Sequence, residues 1–149
     1  MALNSVAILE QLKTTLQAVI TAEQGIADAV TIGVPETPPA KLFGYVTLGS
    51  QSTERAATAL FERTTRIMVM LGYRVNGAEA TAERDLAELV DAFVAAIYTD
   101  LSLGGAVLSA TVDSSAADDP DYQLRVGQEY REYPMIVSVL ERGAFDPTP

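Results

Sequence analysis

The residues best suited to chemistry in this chain are carboxylates. Asp113, Asp118, Asp119 and Asp121 crowd one short segment, and neighbouring carboxylates can do acid–base work or hold a divalent cation. Their neighbours are Ser, Ala and Pro. The spacing is not that of an EF-hand loop, which needs a Gly turn and a terminal Glu. A solvated loop accounts for the segment, and a weak divalent-cation site is the alternative. Nucleophilic catalysis by Ser or Thr needs a base. The chain has no His and no Cys, so the usual base and the thiol nucleophile are both missing. A Ser–Lys arrangement would have to use Lys13 or Lys41, and neither lies in a recognisable motif. There is no Walker-type loop and no GxGxxG. Gly104-Gly105 follows a helical pattern instead of opening one, so it reads as a helix stop and not as a phosphate cradle. No catalytic, cofactor-binding or metal-binding residue is assigned, and the chain reads as a non-enzyme without a cofactor.

The arginines offer a different kind of chemistry. Arg63, Arg66 and Arg74 lie on or beside one strand-like run, and Arg131 and Arg142 lie on another, with Glu62, Glu129, Glu132 and Glu141 interspersed. Cross-strand ion pairs on a solvated sheet face are one reading, each worth little. Charge complementarity at a subunit interface, which fixes register and rejects wrong partners, is the other. Phe61, Tyr130 and Tyr133 supply aromatic area of the kind enriched at interfaces, and core packing explains them equally well. The candidate interface residues are therefore Phe61, Arg63, Arg66, Arg131 and Tyr133.

The elements that would position them follow from periodicity. Residues 5–23 predict a helix, because Leu9, Leu12, Leu16, Val19 and Ile20 form one apolar stripe. Asn4 or Ser5 caps it and Gly25 stops it. Pro35, Pro38 and Pro39 mark 31–39 as a connector or an edge. Residues 42–48 predict a short strand with Phe43, Tyr45 and Thr47 on one face and Leu42, Val46 or Leu48 on the other. Polar residues 49–54 read as a mobile loop. Residues 55–61 are ambiguous between helix and strand, and a long strand is placed over 60–75, with Gly72 as a possible bulge. At about 3.3 Å per residue this run would span roughly 50 Å. A domain of this size is near 40 Å across, so the strand must bend, break or protrude. Residues 78–100 predict the strongest helix, with Leu86, Leu89, Val90, Phe93, Val94, Ile97 and Leu101 on its apolar side. Strands follow at 107–112 and 123–126, separated by the acidic loop 113–122, and a last long strand runs over 128–142. Pro134 inside it implies an edge or a bulge.

The expected fold class is α+β: a mixed, mostly antiparallel sheet with two main helices on one face and long protruding strands. One domain covers 1–142, with a disordered tail at 143–149. The 149 residues suffice for a hydrophobic core. The formal charge of −10 argues against nucleic acid and anionic membrane as partners. It reads either as solubility or as a surface that must not hold nucleic acid. No apolar run is long enough to span a bilayer, and residues 1–5 lack a basic leader region. Manufacture in a cytoplasm, or carriage in a particle assembled there, is expected.

The order of elements, the run Phe61-Glu62-Arg63-Thr64-Thr65-Arg66-Ile67-Met68-Val69-Met70 and the closing Arg131-Glu132-Tyr133-Pro134-Met135-Ile136-Val137-Ser138-Val139 give the chain its likeness. It resembles the tail-terminator (tail-completion) proteins of long-tailed bacteriophages, the lambda gpU-like group, over all but the C-terminal tail. The likeness is one of layout, size and strand texture. It implies a virion protein of the tail or neck, assembled in the host cytoplasm as a homo-oligomeric ring, hexameric in that family. Such a ring caps the tail-tube protein, ends tube growth and offers a surface to the head–tail connector proteins. DNA would pass through its lumen without stable binding. The resemblance places neighbour or tube contacts at 49–54 and 113–122, and the connector at 34–39 has no match in the pattern. A head–tail joining protein of the same neck and a monomeric small-molecule-binding module, its pocket lined by the stripe of 78–101, are the alternatives.

Overall fold

The computed structural model describes residues 3–75, 77, 79–113 and 121–144. The first helix, α1, spans Ser5–Gln24. The Asn4 side chain accepts a hydrogen bond from the Ala7 amide, and Gly25 closes the helix in the left-handed conformation, its amide donating to the Thr21 carbonyl. The second helix, α2, spans Glu79–Thr99. It ends within a residue of the predicted boundary at 100, and the stop is made by Asp100 instead of by Gly104-Gly105. The Asp100 carboxylate accepts from the Ser102 hydroxyl and from the Ser102 and Gly104 amides. These bonds, the Ser102 hydroxyl's foremost and the Gly104 amide's next, hold its pKa below the ordinary value. The two glycines belong to the turns beyond the helix end.

Six strands form one mixed sheet: β1 (Val30–Ile32), β2 (Leu42–Ala57), β3 (Leu60–Arg74), β4 (Ser109–Asp113), β5 (Asp121–Arg125) and β6 (Gln128–Ala144). The order is β1-β2-β3-β6-β4, and β5 also pairs with β6. Only β1 and β2 run parallel. The α+β reading and the mostly antiparallel sheet are therefore borne out. Both helices cover the same sheet face. Ile8, Leu12, Leu16 and Ile20 of α1 and Leu86, Leu89, Phe93 and Ile97 of α2 form one core with Leu42, Val46, Ile67, Val69, Leu71, Met135, Val137 and Val139. The alternation of β3 and β6 places those residues on one side. Phe43, Tyr45 and Tyr130 pack as a smaller cluster on the other side.

Several expectations are corrected. Residues 49–54 are not a loop: they continue β2, which pairs with β3 as far as Ala57 opposite Leu60. A register shift between Leu48 and Gln51 admits one extra residue, so the β2 positions opposite the core-facing residues of β3 change from even to odd numbers beyond it. Residues 55–61 are the end of β2, a tight turn at Thr58-Ala59 and the start of β3. Gly72 supplies no bulge. It lies opposite Phe43 in unbroken register, and a Cβ there would collide with the Phe43 ring. The last strand runs two residues past the predicted boundary, so Gly143 and Ala144 belong to β6 and not to a tail. Pro134 marks no bulge, since it pairs with Met70 of β3 in unbroken register, but it does occupy a local edge, having no partner strand on its other side among the described residues. It falls in the gap between the β5 partners, which reach Glu132, and the β4 partners, which begin at Ile136. Most of the acidic loop 113–122, with Asp118 and Asp119, and residues 145–149 lie outside the described residues. Asp113 closes β4, and Asp121 and Tyr122 open β5.

Candidate functional site

β1 accompanies β2 only from Gly44 to Val46. Beyond it, β2 and the first half of β3 run out from under the helices, with the end of β6 on their other side. β4 accompanies β6 as far as Leu140, so the result is a three-stranded arm made of roughly residues 53–63 and 141–144. Every residue from 48 to 60 is exposed. The strands hold 16, 15 and 17 residues, so each reaches roughly 50 Å at about 3.3 Å per residue. Of bend, break or protrusion, the molecule protrudes.

The root of the arm is clamped by charge. Arg63 and Glu141 lie directly opposite each other. Arg63 donates from Nε and Nη2 to Glu141 Oε1 at 3.0 and 2.8 Å, and Nη2 also donates to the Ser5 hydroxyl at 3.0 Å. The other carboxylate oxygen accepts from the Asn4 amide at 2.9 Å. Gln51 donates from its side chain to Ser5 and Thr65. Glu141 is wholly buried, and all of this satisfies it. One register position on, Arg142 pairs with Glu62.

The five candidate interface residues are thus not one patch. Arg63 is committed to the clamp. Phe61, further out, packs over Gly143, where a Cβ would strike its ring. Arg131 pairs with Glu83 of α2 and lies over the Tyr122 ring, 4.9 Å from its centroid. Tyr133 lines a shallow cleft beside α2 with Glu83, Leu86, Val90 and Arg131. Arg66 is exposed and, among the described residues, has no ion-pair partner. Cross-strand and strand–helix pairing therefore accounts for Arg63, Arg131 and Arg142, and leaves Arg66 open.

Sequence reasoning missed a second charged group on the far sheet face. Arg125 of β5 pairs with buried Glu132 of β6, with Arg125 Nη2 at 2.9 Å from Oε1. Its guanidinium stands 5.9 Å from the Phe43 ring centroid, and Tyr130 meets that ring edge-on at 5.3 Å. Burial, then the Glu132 charge, pushes the Tyr45 hydroxyl above its ordinary pKa, while Arg125 pulls it down. The hydrogen bond to Glu132, above all, raises the pKa of Arg125. The pair straps β5 to the sheet. Alternating Arg and Glu at 125, 129, 131 and 132 is visible in the sequence, but which of them meet depends on the β5–β6 register.

The apolar side of α2, including Leu86, Leu89, Phe93 and Ile97, packs into the core, and of that stripe Leu86 and Val90 also border the cleft beside Arg131 and Tyr133. Among the described residues no group of acidic side chains is placed to hold a metal ion, and no helix is long and apolar enough to cross a membrane. No family model matches the chain, and no curated protein matches it either.

Proposed function

We propose that this chain is a structural, self-assembling protein that works as a ring, in the role of a phage tail terminator. The observation that carries the reading is the arm. In a single copy the residues of 48–60 are exposed on both faces, and β2 has no neighbour along its outer edge past Val46 among the described residues. An unprotected edge of this length invites pairing or aggregation unless a partner covers it. A neighbouring subunit is the simplest cover, and a head-to-tail contact repeated by rotation closes a ring. The formal charge of −10 suits a lumen through which DNA passes without sticking. The work is mechanical: the ring seats on the last layer of tail tube, blocks further addition and offers its other side to the head connector.

Light scattering on a sizing column over a range of concentrations, with negative-stain images, tests the reading. A discrete ring with a central hole is the expected result, in free solution or on isolated tail tubes. A chain that stays monomeric and ignores tubes removes the reading. Capture by head connector but not by tube would assign the chain to head–tail joining instead.

A further inference from the structure

The turn between β5 and β6 is built against local preference. Arg125 pairs with Gln128, which leaves Val126 and Gly127 as a two-residue loop. Both have positive φ, 50° and 75°. Hairpin loops of this kind favour Asn-Gly or Asp-Gly, and a β-branched residue at positive φ is a true outlier. Val126 is also 68% exposed, and Leu124 beside it is 75% exposed. The turn thus holds an apolar side chain in a strained backbone and presents it to water. Burial within the chain offsets neither cost. Arg125 between them is tied inward to Glu132, which fixes the tip. Glu129 stands opposite Leu124, is exposed, and has no ion-pair partner among the described residues.

At the tip of the arm the opposite features occur. Arg55, Ala57, Thr58, Leu60 and Phe61 line an open cavity of about 330 Å³, mostly apolar. Arg55 is exposed and, among the described residues, donates only to the Ala57 and Thr58 carbonyls, at 3.4 and 3.1 Å. The hairpin tip and the arm tip lie at opposite ends of β6, whose 17 residues hold them roughly 50 Å apart at about 3.3 Å per residue. They cannot meet within one chain.

We infer that the β5–β6 hairpin tip of one copy seats in the arm-tip cavity of a second copy, with Leu124 and Val126 inside and Glu129 against Arg55. The two patches differ, so the contact is head-to-tail, the kind that closes rings. This inference rests on the self-assembly proposed above and names the surfaces that carry it.

The test combines a charge swap with a turn repair, read by concentration-dependent light scattering and thermal melts on the full chain. Glu129→Arg and Arg55→Glu should each weaken association about tenfold or more, and the double variant should recover it. Val126→Asn should melt at a higher temperature, because Asn-Gly suits the turn, yet associate more weakly. As the chain has no cysteine, Leu124→Cys mixed with Ala57→Cys should give a disulfide-linked dimer of the two variants on oxidation, and neither variant alone should. Assembly unchanged in both single charge variants, and no mixed dimer, would overturn this contact while leaving self-assembly intact. A chain monomeric at every concentration and on tubes would overturn both.

Discussion

The two halves of β3 teach different lessons. From Ile67 to Leu71 it alternates, with Ile67, Val69, Leu71 and then Tyr73 buried beneath the helices and Gly72 buried under the Phe43 ring on the other face. From Leu60 to Thr64 no residue is buried, and Thr65 and Glu141 mark the border. In the body, hydrophobic burial fixes register, since a one-residue slip would turn the whole apolar set outward. In the arm that constraint is gone, and paired charges at Arg63–Glu141 and Glu62–Arg142 fix it. One strand is held by oil at one end and by salt at the other.

That contrast can be broken at chosen places. The largest effect belongs to the body. Phe93→Ala empties a fully buried site between α2 and the sheet and should cost about 3–5 kcal/mol in urea unfolding. Next comes the border. Glu141→Ala strips Arg63 and the Asn4 amide of their buried acceptor and should cost about 3 kcal/mol, with amide exchange rising first at residues 4–8 and in the arm. A loss confined to the arm's own exchange, with α1 unaffected, would show that the clamp does not couple the two.

A smaller effect sits in the body and depends on pH. Tyr73 donates to Asp85 at 2.8 Å, and burial, with that bond next, pushes its pKa up to about 12. The folded state therefore prefers the protonated phenol. Its contribution is complete below the unfolded value near pH 10 and is lost as pH rises through about 12. The urea midpoint of the natural chain should fall across that window more than that of Tyr73→Phe. Equal slopes would remove Tyr73 as the source. The smallest effect on folding belongs to Arg66→Glu. Arg66 is exposed and unpaired among the described residues, so the melt should shift by no more than about 0.5 kcal/mol. Assembly should suffer far more, and equal losses in both would return Arg66 to an ordinary surface role.

The same contrast explains what could be read in advance. Both helices, the α1 caps at Asn4 and Gly25, and the two faces of Leu42 to Val46 follow from periodicity and capping, because one side of each element is buried. Residues 49–54 gave no such signal. With both faces in water, nothing forces alternation, and Gly-Ser-Gln-Ser-Thr-Glu in a strand looks like the same letters in a loop. The charged candidates were legible as a set but not as pairs. That Arg63 meets Glu141 is a matter of register 78 positions apart, and that Arg125 meets Glu132 depends on a turn through Val126, a residue that turn preferences would not place there.

The placement of β6 has a consequence for how the chain comes to be made. It follows β3, β4 and β5 in sequence and pairs with all three, and its Glu141 accepts from Asn4, 137 positions earlier. During synthesis, at about 5–20 residues per second, α1 and the β2–β3 hairpin leave the ribosome with the central place in the sheet vacant. Until the last strand arrives, the inner edge of β3 stays open, and the apolar face that β6 completes stays wet. Contacts this distant in sequence make for slow closure. The nascent chain therefore spends its most vulnerable seconds with an open sheet, and a chaperone that shields β3 at that stage should raise the yield of folded protein more than one that acts after release.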